Sequence, residues 1–231
     1  MLMSIQLDEE RQVEYAQSTV AFQHYLAGLL AERRENPRDD LISALLHFSV
    51  PEEEPLTENE LVIMLQGLIL AGHESTTNMI GTGLLLLLEQ PEHWQWLLEH
   101  PEGIPQTVEE ILRFDAPIQM FARTTTREVT IDGVTLPEEA SLLLIYGSGN
   151  RDEEAFPDAH AFQPQRISNR HLAFGHGVHF CVGAALARLE GRIAFEVLTS
   201  RLPELRLVPG QELAHIPTLL FRGYERLEVE W

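Results

Sequence analysis

The sequence predicts a mainly α-helical fold with one small β-sheet, and three observations lead to this prediction. Apolar residues recur at helical spacing through most of the first 117 residues. One apolar segment, 57–90, is long enough for a single helix of roughly 30 residues. Alternation of apolar and polar residues is confined to 128–150, where Asp132-Gly133 marks a hairpin turn.

The first part of the chain divides into helices at its prolines and at one capping signal. A first helix covers 10–35, and a second follows it before the acidic, proline-bounded loop 49–56. Thr57 and Glu60 then form a capping box at the start of the long apolar segment. The resulting helix would be about 45 Å long and apolar on most sides, so we expect it to cross the centre of the protein. The polar stretch 73–78 inside it argues against a membrane span.

The remaining elements follow from proline punctuation and from the change of period. They are helices over 91–101 and 103–117, the sheet over 128–150, a loop over 151–166, a helix over 182–202, and a tail of loop and short strands. No internal repeat or low-complexity linker divides the chain, so we expect a single domain over residues 1–231. With 44% hydrophobic residues, the chain is able to bury one substantial core or two small ones.

The charge balance narrows the class of partner. The chain has 36 acidic and 16 basic residues, a formal net charge of −20, which argues against nucleic acid or an anionic membrane surface as a partner. All the basic residues are arginines, whose planar guanidinium groups suit carboxylates, including those of a cofactor. A single cysteine excludes an internal disulfide, and the first residues lack a signal-peptide pattern. These features predict a cytoplasmic protein.

Two polar motifs in the helical part each have a functional and a structural interpretation. The stretch "AGHEST" (71–76) places small and polar residues in mid-helix, where they weaken the helical ladder and favour either a proton path or a satisfied polar patch. In "EEILR" (109–113), Arg113 is spaced to pair with Glu110 or with Glu109. On a surface, such a pair contributes only about 0.3 kcal/mol.

The stretch "HLAFGHGVHFCVG" (171–183) contains three histidines, three glycines and the cysteine, and three interpretations are open. A phosphate loop would need its glycines between a strand and a helix. A zinc site would use His171, His176, His179 and Cys181, whose spacing matches no zinc pattern. A haem site would use Cys181 alone, because the start of a helix favours its thiolate and the glycines admit a large flat ligand.

Taken together and in this order, the motifs resemble the cytochrome P450 family, in particular its bacterial soluble members. The matching positions are Phe174, Gly177, His179, Cys181 and Gly183 in the haem-binding pattern, Glu110 and Arg113 in the Glu-x-x-Arg motif, "AGHEST" in the oxygen-activating motif, Arg166 in "FQPQR", and Arg123 in "FART". The resemblance implies the C-terminal part of the P450 fold, with its long central helix, a small β hairpin or sheet, and a cysteine loop leading into a helix.

The resemblance also implies a cofactor and the residues that bind it. Cys181 would be the axial thiolate of haem b, iron protoporphyrin IX. Arg123 and His179 would hold the haem propionates. Phe174, Gly175 and Gly183 would line the haem.

Other residues would support the site or move protons. Glu110, Arg113 and Arg166 would form a buried network that braces the cysteine loop, and breaking it would cost about 3–5 kcal/mol. Glu74, Ser75 and Thr76 would deliver protons to oxygen, for which Ala71 and Gly72 would make room. The family often has threonine at the position of Ser75, and serine lacks the methyl group that restricts the rotamer. Looser proton delivery is therefore expected.

As for partners, the resemblance implies a small-molecule substrate and an electron donor such as a ferredoxin with an NAD(P)H-dependent reductase. Over 166–206 the chain has six arginines against three glutamates, a net +3 in an acidic protein, which would steer an acidic donor. An ordinary salt-bridged helix face is the alternative.

The chain matches only the C-terminal part of the family. The expected function is a haem-thiolate monooxygenase that inserts one atom of O2 into a small organic substrate. The alternatives are a catalytically incompetent haem-binding fragment and one half of a split protein. Because one layer over the central helix is missing, an oligomer or a complementing chain is expected to cover that surface.

Overall fold

The computed structural model describes residues 9–52, 54–167 and 170–231, and it is about half helical. The helices are α1 (Glu9–Glu35), α2 (Leu41–His47), α3 (Glu58–Leu88), α4 (Pro91–Glu99), α5 (Ile104–Phe114), α6 (Tyr146–Gly149) and α7 (Ala184–Arg201), with 3₁₀ turns at Pro101–Gly103 and Gly177–His179. The strands are β1 (Met120–Thr124), β2 (Val129–Ile131), β3 (Val134–Leu136), β4 (Ser141–Ile145), β5 (Arg206–Leu207) and β6 (Val229–Glu230). The mainly α-helical prediction is confirmed.

The described residues form two compact units, one ending at His73 and the other comprising Glu74–Trp231. The boundary falls inside α3, which runs as one unbroken helix. The prediction of a single domain over 1–231 therefore stays a prediction.

The first unit is built around leucines of α1 and the start of α3. Leu26 and Leu30 pack with Leu61 and Leu65. The predicted capping box is present at the start of α3, since the Thr57 amide donates to Glu60 Oε2 at 2.7 Å and the Glu60 amide donates to Thr57 Oγ1 at 3.3 Å.

The core of the second unit lies between α4, α5, α7 and the C-terminal half of α3. Close approach depends on Gly83, where a Cβ would lie 2.5 Å from Ile111 Cδ1 and 2.8 Å from Phe195 Cζ. Gly191 of α7 serves the same purpose beside Met79. These glycines let the helices that carry the candidate site pack directly on one another.

The β structure differs from the single sheet that was predicted. Among the described residues, the strands form three separate two-stranded antiparallel ladders, β1·β4, β2·β3 and β5·β6. The hairpin turn at Asp132-Gly133 is confirmed, with φ of +48° and +78°. The prediction of one sheet was wrong, because β4 pairs with β1, a strand before the hairpin, and not with β3.

The long helix α3 is confirmed in position, but not in full burial. Met79 and the leucines near its C-terminal end are buried, whereas Ile69, Leu70 and 71–73 are exposed. No described residues cover that apolar face, which agrees with the expectation that one layer over the central helix is missing. Within the described ranges, α3 and the other helices all lack an apolar stretch that is long enough to cross a membrane.

Candidate functional site

The cysteine loop, residues 171–183, turns back on itself in front of α7. The Cys181 amide donates to the Phe174 carbonyl at 2.9 Å, which closes the turn. Gly175 and Gly177 both adopt φ of +69°, a left-handed conformation that other residues rarely take, so the turn requires glycine at these positions. Because α7 begins at Ala184, Cys181 lies just before a helix start, as predicted.

The thiol at the end of this turn is free and exposed. Its apolar neighbours Val178, Phe180 and Val182 are also exposed. His179 ends the 3₁₀ turn and is exposed, whereas Phe174, Gly175 and Gly183 are half-buried. The loop therefore presents one thiol within an open, largely apolar surface.

A buried ion network is centred on Glu110 of α5. Arg113 donates to both carboxylate oxygens, with Nε 2.7 Å from Oε2 and Nη2 2.8 Å from Oε1. Arg166 Nε donates to Oε2 at 3.0 Å, and the Gln163 amide donates to Oε1 at 2.9 Å. The structure therefore brings together all three residues that the sequence predicted for this network.

Asn150 connects the Glu110 network to the cysteine loop, and sequence reasoning missed it. Its backbone carbonyl accepts from Arg113 Nη1 at 2.9 Å. Its side-chain Oδ1 accepts from the Leu172 amide at 2.6 Å. Asn150 is fully buried, and this one residue links Arg113 to Leu172 at the start of the loop. No local sequence pattern marks it, since both contacts are distant in the chain.

The neighbouring Glu109 makes a second and separate cluster. Arg188 of α7 donates to it from Nε at 2.7 Å and from Nη2 at 2.9 Å, and His171 Nε2 lies 3.2 Å from its Oε2. The alternative pairing of Glu109 with Arg113 is wrong, because Arg113 donates to Glu110 while the Glu109 carboxylate accepts from Arg188 and His171. Sequence reasoning overlooked one signal. Two adjacent glutamates, Glu109 and Glu110, precede a single arginine in this motif, so Arg113 leaves one of them to pair elsewhere.

The Glu109 cluster is electrostatically tight. Burial alone would raise the pKa of Glu109, but hydrogen bonds from His171 and Arg188 outweigh it and hold that pKa at about 2. The hydrogen bond to Glu109 in turn raises the pKa of Arg188. Both groups are therefore charged at neutral pH.

Arg123 lies on β1 opposite Leu142 of β4. It is half-buried, and its Nη1 donates to the Ala122 carbonyl at 2.8 Å. In the described part of the chain, no carboxylate lies within salt-bridge distance of it. Its guanidinium is thus available to a carboxylate from outside the chain.

The predicted oxygen-activating residues lie on an unbroken stretch of α3. Glu74, Ser75 and Thr76 are half-buried, whereas Ala71 and Gly72 are exposed. The helix continues through this stretch, so the residues that were expected to weaken it do not break it.

Thr76 has a partner that the sequence did not indicate. Its Oγ1 donates to Glu190 Oε2 of α7 at 3.1 Å. This contact places the Thr76 hydroxyl towards α7.

Comparison with known proteins agrees with this geometry. The family model described as Cytochrome P450 matches residues 103–215, which include the Glu110 network and the cysteine loop. Mycinamicin IV hydroxylase/epoxidase of Micromonospora griseorubida is 40% identical over 234 residues, covering 100% of this chain and 58% of that protein. The chain belongs to the cytochrome P450 family.

Other P450s show the same extent of similarity. Vitamin D(3) 25-hydroxylase of Pseudonocardia autotrophica is 42% identical over 207 residues, covering 89% of this chain and 51% of that enzyme. The crystal structure of CYP109E1 from Bacillus megaterium with testosterone matches at a TM-score of 0.92 and 34% identity, covering 96% of this chain and 61% of the other. The chain therefore spans 51–61% of the length of these three P450s.

Membership of the P450 family implies a haem iron ligated by a cysteine thiolate, and the residues present fit this group. Cys181 is the only cysteine in the chain, and its thiol is free and exposed. Glycines leave the loop without Cβ atoms at 175 and 177, and no atom lies within 4 Å of where a Cβ of Gly177 would stand. Arg123, which has no carboxylate partner among the described residues, is a cation of the kind that suits a propionate.

The zinc alternative fails on the geometry of the same loop. His171 uses Nε2 for Glu109, and its Nδ1 accepts from the Ala173 amide at 3.2 Å, so both ring nitrogens are engaged. Over 9–52, 54–167 and 170–231, no three His, Cys, Asp or Glu residues group closely enough to hold a metal ion.

Proposed function

We propose that this chain carries the haem-thiolate part of a P450 monooxygenase, with Cys181 as the ligand to the iron of haem b. The observation that carries the proposal is the closed turn from Phe174 to Cys181, which presents a free thiol in a loop that Asn150 connects to the buried Glu110 network. The thiolate has to lie on a rigid loop of this kind, because its position relative to the iron is maintained without further ligands from the chain.

The proposed reaction inserts one atom of O2 into a small organic substrate and reduces the other atom to water with two electrons and two protons. When bound, the haem supplies the redox chemistry that activates O2. Arg123 and His179 hold its propionates by charge-assisted hydrogen bonds. The relatives named above are hydroxylases of mycinamicin IV and of vitamin D(3) by name, which supports a small organic molecule as the substrate class.

Proton delivery falls to Glu74 and Ser75 of α3. In this role the Glu74 carboxyl group would take up protons from solvent, and the Ser75 hydroxyl would pass them on to oxygen. Ala71 and Gly72 keep the neighbouring helix surface free of large side chains. We assign Thr76 to a contact between α3 and α7 instead of proton transfer, because its hydroxyl donates to Glu190.

Thiolate ligation is tested by the absorption spectrum of the reduced, CO-treated protein reconstituted with haem. The parent is expected to show the Soret band position that is diagnostic of a thiolate ligand, and Cys181→Ser is expected to lose it. A parent without this band, or a Cys181→Ser variant that keeps it, would overturn the assignment.

Turnover separates the monooxygenase from an incompetent fragment or half of a split protein. Oxygen-dependent NAD(P)H consumption with a ferredoxin and its reductase is expected if the chain is active. A thiolate band without consumption would favour the fragment. Consumption restored only by adding a chain equivalent to the N-terminal part of other P450s would favour the split protein.

The serine at 75 gives a second test of the proton path. Ser75→Thr is expected to lower the peroxide formed per NAD(P)H consumed, since the added methyl group restricts the hydroxyl rotamer. Thr76→Val serves as the matched control and should leave this ratio unchanged. Equal leakage in Ser75→Thr and the parent would contradict the role of Ser75.

The electron donor is proposed to dock on the basic residues around α7. Arg188 and Arg192 are paired with Glu109 and Glu196, so this surface is less positive than its arginine content suggests. Arg192→Glu is the cleaner variant, because Arg188 also belongs to the Glu109 cluster. It should slow reduction by a ferredoxin and weaken its salt dependence. An unchanged rate and salt dependence would rule out docking here.

A further inference from the structure

We infer that Glu109 is a positioning residue for the cysteine loop, which it fixes through His171 on one side and Arg188 on the other. The inference rests on the proposed function only in taking Cys181 as the haem ligand. It gives the haem-binding loop a second support, independent of the Glu-x-x-Arg network.

The first arm starts at His171. Its side chain is only 2% exposed, and its Nδ1 accepts from the Ala173 amide, so the proton of the neutral ring lies on Nε2 and is donated to Glu109. This contact fixes the backbone just before Phe174. The His171 ring also lies 5.7 Å from the Phe174 ring, centroid to centroid.

The second arm starts at Arg188 of α7. Glu109 accepts two parallel hydrogen bonds from its guanidinium, which fixes the plane of that group. The same guanidinium lies over the Phe174 ring, with Cζ 4.5 Å from the ring centroid, a cation–π contact. Phe174 is therefore packed against both partners of Glu109.

Phe174 connects these two contacts to Cys181, the proposed ligand to the iron. Its carbonyl accepts the Cys181 amide at 2.9 Å, which is the bond that closes the turn. The path from Glu109 to Cys181 thus runs through described contacts only. Glu110 fixes the loop at a different point, Leu172, by way of Asn150.

The charge on Glu109 strengthens both arms. Its carboxylate accepts from a cation and from a nearly buried ring, and hydrogen bonds to an ionised acceptor are about twice as strong as neutral ones. A neutral amide of the same size would retain the packing but would turn a donor towards one of its two partners. The variant Glu109→Gln therefore separates the hydrogen-bonding role from simple space filling.

The first test measures backbone hydrogen exchange of the haem-free full chain by mass spectrometry. In Glu109→Gln, peptides covering 172–183 should exchange roughly tenfold faster, while those of α4 should be unchanged. Glu109→Asp, which keeps the charge, should recover part of the protection. Glu196→Gln is the matched control, since it removes an exposed ion pair on α7 and should change nothing.

The second test uses the haem-loaded protein. Glu109→Gln and Arg188→Lys should both lower the fraction of the CO complex that shows the thiolate band, because lysine keeps the charge but loses the guanidinium fork. If Glu109→Gln fails to fold, Arg188→Lys carries the same exchange measurement.

Folded variants with parental exchange over 172–183 and a parental CO spectrum would overturn the inference. A parent chain that lacks the thiolate band would contradict the proposed function instead, and the exchange measurement would still decide the role of Glu109.

Discussion

Replacing the Glu110 carboxylate by a neutral amide should destabilise the second unit far more than the small change in side-chain size suggests. Glu110 is 0% exposed and lies between the guanidinium groups of Arg113 and Arg166. In Glu110→Gln, both cations stay buried without a counter-charge, and the new amide N–H2 group faces donors. Leaving buried charge unpaired costs about 3–5 kcal/mol. At about 2–4 °C per kcal/mol for a protein of this size, the melting temperature should fall by about 6–20 °C.

Tryptophan fluorescence in a urea titration measures this effect in the relevant unit, because all three tryptophans, Trp94, Trp96 and Trp231, lie after His73. The control is Glu196→Gln, which removes an exposed pair with Arg192 and should cost less than about 1 kcal/mol. If Glu110→Gln and Glu196→Gln shift the urea midpoint by the same amount, the network does not hold this unit together and the reasoning fails.

Two further predictions concern packing and acid stability. Gly83→Ala should destabilise by about 1–3 kcal/mol, because the new Cβ would clash with Ile111 and Phe195. Gly81→Ala is the control in the same helix, because no atom lies within 4 Å of the added Cβ, and it should stabilise the protein by up to about 1 kcal/mol. If both variants shift the urea midpoint equally, the packing argument for Gly83 fails. The depressed pKa of Glu109, about 2 against an ordinary 4.5, contributes stability that is fully present above pH 4.5 and is lost as pH falls towards 2. The stability of Glu109→Gln should therefore fall less steeply over that pH range. If its urea midpoint falls with pH as steeply as that of the parent, the pairing of Glu109 is contradicted.

Features set by neighbouring residues were predictable from the sequence. Helix limits followed from prolines and from the Thr57 capping box, and the hairpin followed from Asp132-Gly133. The cysteine loop was also predictable, because its glycines, its histidine and Cys181 lie within one short stretch. In each case the physical cause acts within a few residues.

Features set by distant contacts were not predictable. The pairing of β1 with β4 skips over a complete hairpin, so alternation alone could not assign it. Asn150 joins Arg113 to Leu172 across 37 and 22 residues. The exposure of Ile69 and Leu70 was expected from the family resemblance but not from the apolar pattern of α3, which does not show what packs against the helix.

The two adjacent carboxylates of α5 have a consequence for how this helix tolerates change. Glu109 and Glu110 project in directions about 100° apart and bind cations outside α5, Arg188 and Arg166, so together they restrict rotation of α5 about its own axis. Inserting or deleting one residue in the preceding turn would rotate both carboxylates by that same angle, together with Arg113, and would turn them away from Arg166 and Arg188. Such a change would disconnect both supports of the cysteine loop at once, even though every residue of the two clusters would still be present.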